Sequence, residues 1–173
     1  MPPDYLLYLV EFASFWSLWY WVLVAVSWSI ASHWTLGVPF DLVINAERRG
    51  GVWAEHCDTL THINVFRLTS VFREFGVALM TLAGFVLGAI ATIGFLADVE
   101  FARALFALML PHGVAGLFSV RAAFWIERQD LRGKPLRRAI KRQRFWTQFV
   151  GFWGILICAV FAIYEALVFY GEV

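Results

Sequence analysis

From Phe75 to Ala97 the chain carries no charged side chain. As a helix such a run rises about 34 Å, enough to cross the roughly 30 Å of bilayer hydrocarbon, which needs about 20 residues. With no water to satisfy backbone polar groups there, a lone apolar run must be helical. Three other runs resemble it: Phe12 to Ser32, Arg103 to about Ile126, and Phe145 to Tyr164 extending past Glu165. The chain is 61% hydrophobic, where an ordinary soluble domain is roughly half apolar. These features predict an all-α polytopic membrane protein: one domain over residues 1–173, with four transmembrane helices at about 12–33, 75–97, 103–126 and 145–168.

Orientation comes from the stretch Glu127 to Arg144, which holds eight Lys or Arg and two acids. Short loops this basic stay on the cytoplasmic side. Segments 40–74 and 127–144 then lie inside, and both termini are periplasmic in a bacterial inner membrane. Arg48, Arg49, Arg67, Arg73 and Arg121 join the inner side, leaving Arg103 as the one outer cation. The N-terminus lacks a basic n-region and no small-residue cleavage site follows the first run, so no signal peptide is expected. Between spans 1 and 2, apolar residues recur at Trp53, Leu60, Ile63, Phe66 and Val71 among Asp58, Thr59, His62 and Arg67. This spacing predicts an amphipathic helix lying on the membrane surface. Gly37 and Pro39 end the first span, Arg48-Arg49-Gly50-Gly51 forms a hinge, and Gly133 and Pro135 interrupt the basic loop.

Three groups of residues are candidate sites. Pro111 and His112 fall near the middle of the third span. There a histidine should face the bundle interior and bond a hydroxyl such as Thr81 or Thr92, with Gly113 and Gly116 admitting a neighbouring helix. At the outer edge Arg103 is expected to pair with Glu11 or Glu165. In the basic stretch Arg137, Arg138, Lys141, Arg142 and Arg144 are positioned for anionic lipid headgroups or an acidic partner, beside a small stripe of Leu136 and Ile140. Gly84 and Gly88 form a GxxxG that suits close helix contact, within the chain or in a homo-oligomer.

Other constellations fall short. His56 and His62 point about 120° apart on a helix, and Asp58 with His62 provides only two ligands, so no metal site is expected beside Cys57. His33 would lie level with about residue 123, roughly 16 Å below His112, too far for both to bind one haem. No hydrolase triad, phosphate loop, dinucleotide fingerprint or metalloprotease motif is present. The reading is a non-enzyme with no cofactor and no nucleic-acid partner, since the net charge is only +1.

Several stretches carry a resemblance: Leu18-Trp19-Tyr20-Trp21, Trp28-Ser29, Ala31-Ser32-His33-Trp34, Leu36-Gly37-Val38-Pro39-Phe40-Asp41, Ile63-Asn64-Val65 and Val99-Glu100-Phe101-Ala102. Over most of its length the chain resembles a family of small alphaproteobacterial membrane proteins named "component of SufBCD complex". That resemblance implies a link to iron–sulfur cluster assembly. Only Cys57 and Cys158 are present, with no cluster-ligand motif, so the link implied is a partner and not an activity. The expected function is an accessory or scaffold membrane protein docking partners at the cytoplasmic face. The alternative is a small transporter or channel subunit using His112.

Overall fold

A computed structural model describes Phe15 and residues 17–171, with side chains to Leu167. Five helices dominate it: α1 (Leu18–His33), α2 (Phe40–Arg48), α3 (Gly51–Phe95), α4 (Glu100–Arg128) and α5 (Gly133–Gly171). A minimal antiparallel hairpin, β1 (Trp34–Thr35) and β2 (Val38–Pro39), links α1 to α2. The protein is helical, and α3, α4 and α5 are each long and apolar enough to cross a membrane.

The connections are set by backbone chemistry. Leu36 and Gly37 form the hairpin turn with φ of 55° and 71°, the left-handed pair that a two-residue hairpin needs. Leucine is strained there, but its side chain is only 8% exposed, within a core cluster. Asn64 of α3 donates to the Gly37 carbonyl at 2.9 Å and anchors the turn. Gly50 and Gly51 are both left-handed, so α2 cannot run on into α3.

The sequence reading of residues 40–74 needs correction. The expected surface helix from Trp53 is not a separate element. Its residues form the first half of α3, a single helix of 45 residues, about 67 Å long and roughly twice the hydrocarbon thickness. Cys57, Thr61, Val65 and Thr69 recur at four-residue spacing and are buried. Leu60 and Leu68 pack beside them on residues of the hairpin, α2, α4 and α5. The buried face of this half, turned to the protein core, is therefore Cys57, Thr61, Val65 and Thr69, whereas Trp53, Ile63, Phe66 and Val71 of the expected apolar stripe are exposed and only Leu60 is partly buried. Thr61 and Thr69 enter that core at little cost because each hydroxyl donates back to its own helix, at 2.6 Å to the Cys57 carbonyl and 3.0 Å to the Val65 carbonyl.

The basic stretch also differs from a loop. Only residues 129–132 connect α4 to α5, and Gly133 starts a helix that continues to Gly171. Pro135 falls in its first turn, where no backbone donor is required. Leu136, Ala139 and Ile140 face inward and join the same core as Val43, Val65 and Ile126.

Two cores therefore stack along the bundle. The polar-side core combines the hairpin, α2 and the extensions of α3, α4 and α5. The apolar-side core holds Phe15, Tyr20, Val24, Trp28, Ala104, Ala107, Ala115 and Cys158. In the apolar layer α3 packs along α4 and α4 along α5, while α1 leans on α5. The close approaches are at other glycines than expected. A Cβ on Gly151 would lie 2.8 Å from the Trp28 ring, and one on Gly154 would lie 2.9 Å from Pro111. At Gly84, Gly88, Gly113 and Gly116 it would meet nothing within 4 Å. The face of α4 that meets α5 carries Ala104, Ala107, Pro111 and Ala115, so Gly113 and Gly116 point elsewhere.

Candidate functional site

Three polar clusters are spaced along the bundle. At one end Arg103 is buried. Its Nε donates to Glu165 at 2.6 Å, and Nη1 donates to the Gly94 carbonyl at 3.0 Å and also meets Asp98. Arg103 and Glu165 side chains are 10% and 13% exposed, against 92% for Asp98. The expected partner Glu165 is thus in contact, while Glu11 lies outside the described residues. Asp98 was missed. Its left-handed φ of 58° turns the chain back over α4, and an acid in a short turn before a buried arginine was the available signal.

Midway along α4, His112 is half-buried and its ring lies 4.0 Å from the Trp28 ring. No hydroxyl from α3 reaches it. Nδ1 meets the Leu108 carbonyl one turn back at 2.8 Å, so Nδ1 is the protonated nitrogen, and Nε2 is buried with no partner among the described residues. The expected hydroxyl partner is replaced because a carbonyl of the same helix is already in reach. Thr92 turns to its own Gly88 carbonyl at 2.9 Å, and Thr81 is exposed. Trp28 fills the space left by Gly151 and Gly154 and closes over both Pro111 and His112. Nearer Arg103, the Tyr20 hydroxyl lies 3.1 Å from both the Ala104 carbonyl and Cys158 Sγ.

In the polar half, Asp58 and His62 share a face of α3, as their spacing requires, and both hold the α4–α5 connection. Asp58 Oδ2 accepts from the Gly133 backbone N–H at 2.6 Å, a carboxylate at a helix N-terminus. His62 Nε2 meets the Leu131 carbonyl at 3.1 Å. Among the described residues no group of three or more His, Cys, Asp or Glu is arranged to hold a metal. Cys57 lies on the polar-side half of α3; burial, with the neighbouring Asp58 charge, pushes its thiol pKa up.

The five basic candidates do not form one surface. Arg137 is buried, 3.8 Å from Asp58, which removes it from lipid contact because Leu136, Ala139 and Ile140 turn that side of α5 into the core. Lys141 pairs with Glu47 at 2.5 Å. Arg144 stacks 3.6 Å over Phe40, and Arg142 lies 4.5 Å over Trp125. Arg138 is exposed. A groove of 650 Å³ beside Arg142 is lined also by Arg121, Trp125, Gln143, Phe118 and Trp146. Charge counting places Arg121 on the inner side but does not mark it as a site.

Compared with protein-family models, curated proteins and solved structures, the chain matches none.

Proposed function

We propose that this chain is an accessory or scaffold protein of a bacterial inner membrane. In this reading it crosses four times, with α1 and the residues before it forming the first span and both termini periplasmic. The polar-side core then lies in the cytoplasm as a docking platform. The observation that carries the reading is the outer face of α3. Val52, Ile63 and Phe66 are 62%, 51% and 63% exposed. At 100° per residue they fall within about 60° of one another, on the side opposite the buried Cys57, Thr61 and Val65. Phe66 lies nine residues, about 13 Å, below the start of the apolar run at Phe75, beyond the headgroup layer. Large apolar side chains exposed to water on one face favour a protein partner. The family resemblance points to the iron–sulfur assembly machinery as its source. The alternative, a transporter built on His112, draws support from its unpartnered Nε2, but the ring is shut against Trp28 and bonded to its own helix.

Photo-crosslinking tests the reading. Benzoylphenylalanine replacing Phe66 in native membranes is expected to give a discrete heavier adduct, while the same group at Phe85, in the apolar half, gives none with protein. Ile63→Asp should abolish the adduct. Absence of any adduct from positions 52, 63 and 66 would reject the scaffold reading.

A further inference from the structure

We propose that the groove between α4 and α5 at the inner membrane boundary is a site for one anionic glycerophospholipid. Its phosphate meets Arg121 and Arg142, and an acyl chain lies along Phe118 and Trp146. This rests on the membrane reading of α4 and α5 but not on the scaffold reading.

Depth comes first. Arg121 is 18 residues beyond Arg103 on α4, and Trp146 is 19 residues before Glu165 on α5. Both separations correspond to about 27–29 Å of helix rise, close to the thickness of the hydrocarbon layer. If Arg103 and Glu165 mark one boundary, Arg121 and Trp146 mark the other, where headgroup phosphates lie. Charge comes next. Arg121 and Arg142 are exposed, and among the described residues neither belongs to an ion pair with a carboxylate. Of the neighbouring cations, Arg73 pairs with Glu127, Lys141 with Glu47, Arg137 faces Asp58, and Arg144 is stacked over Phe40. Two arginines without acids at a membrane boundary are matched by a phosphodiester, which a guanidinium binds in bidentate fashion.

The groove is also built. Arg142 is held over the Trp125 ring, 4.5 Å from its centroid. Phe118 and Trp146 stack with centroids 5.6 Å apart, giving an apolar wall on the hydrocarbon side. Gln143, only 4% exposed, ties the two helices together at the base. With its amide nitrogen toward the Phe118 carbonyl (3.2 Å), its oxygen accepts from the Ser119 backbone N–H and hydroxyl at 3.1 and 2.9 Å. Basic pockets between membrane helices on the cytoplasmic side are suited to anionic lipid headgroups.

Native mass spectrometry of the full chain, released from detergent with defined lipid, tests the site. Dioleoyl phosphatidylglycerol is expected to bind as one tight adduct, and dioleoyl phosphatidylethanolamine much more weakly. An arginine near an anionic headgroup contributes about five-fold in affinity, so Arg121→Gln with Arg142→Gln should reduce phosphatidylglycerol binding about thirty-fold. Arg138→Gln, on an exposed cation outside the groove, should leave it unchanged. If the double variant elutes as aggregate, Arg121→Gln alone is read the same way, with about a five-fold loss expected. Equal binding of the two lipids, unchanged phosphatidylglycerol binding in the double variant, or an equal loss with Arg138→Gln would overturn the proposal. The crosslink from position 66 is independent of each result.

Discussion

Replacing Glu165 by Gln removes the largely buried partner of a buried arginine. The Arg103 and Glu165 side chains are 10% and 13% exposed and meet at 2.6 Å. Removing one member of a buried pair destabilises by about 3–5 kcal/mol, because the remaining charge is left uncompensated. Arg103 keeps the Gly94 carbonyl at 3.0 Å and the exposed Asp98 carboxylate, so about 3 kcal/mol is expected. Asp98→Asn touches a side chain 92% exposed and should change stability by less than about 1 kcal/mol. The double variant Arg103→Met, Glu165→Met removes both charges and leaves neither stranded. It should be more stable than either single methionine variant. Sodium dodecyl sulfate titration of the protein in mild detergent micelles, followed by near-ultraviolet circular dichroism, gives each free-energy difference. Strict additivity in the cycle, or equal losses for Glu165→Gln and Asp98→Asn, would refute the claim that burial makes this pair matter.

Further outcomes follow from the same geometry. A fluorescent reporter that folds only in the cytoplasm should stay dark when fused after Val173 and glow when inserted at Gly133; bright C-terminal fusions would invert the proposed topology. Gly154→Ala sets a methyl 2.9 Å from Pro111 and 3.0 Å from Trp28 and should destabilise by about 1–3 kcal/mol through overpacking. Gly84→Ala and Gly88→Ala meet nothing within 4 Å and should leave the melting temperature of the monomer in detergent unchanged. His112→Ala should lower that melting temperature, and His112→Asn should lower it less; wild-type behaviour from both would show that the ring is no anchor. Cys57 and Cys158 are both fully buried, so a maleimide should label neither thiol, by intact mass, until the protein is unfolded.

Apolar length was the most legible part of the sequence, because a bilayer allows helix and little else. The Arg103–Glu165 contact was legible for a related reason: both residues sit where charge-free runs end, and such ends share a level. The basic stretch reads as a loop in sequence because Gly and Pro commonly break helices. Gly133 begins α5 with a left-handed φ of 60°, and Pro135 stands where a helix tolerates it, so the same residues start a helix. Of the apolar stripe Trp53, Leu60, Ile63, Phe66 and Val71 only Leu60 packs on the core, because the face of α3 turned to the protein carries Cys57, Thr61, Val65 and Thr69, and two of these four are threonines that an apolar spacing does not mark. Likewise GxxxG names residues that permit close packing; in this fold Gly151 and Gly154 provide it, since they oppose the bulky Trp28.

The largest hidden quantity was helix register. Counting inward from the membrane edge set His33 level with residue 123, but the contacts establish another alignment. Tyr20 meets Ala104, and Trp28 meets His112, so α1 and α4 run parallel with a constant offset of 84 residues. On that offset His33 is level with residue 117, and the axial separation from His112 is about 7–8 Å instead of 16 Å. The difference arises because α1 ends in the hairpin while α4 continues to Arg128 in the polar-side core. On the polar side the ends of α1 and α4 therefore do not share a level. Distance alone then no longer separates the two histidines, and their surroundings do. His33 is exposed beside Trp34, whereas His112 is closed beneath Trp28, with one nitrogen bonded to its own helix. What sets the polar spot at mid-depth is the tryptophan that covers it, and the small residues of α5 that give the tryptophan room.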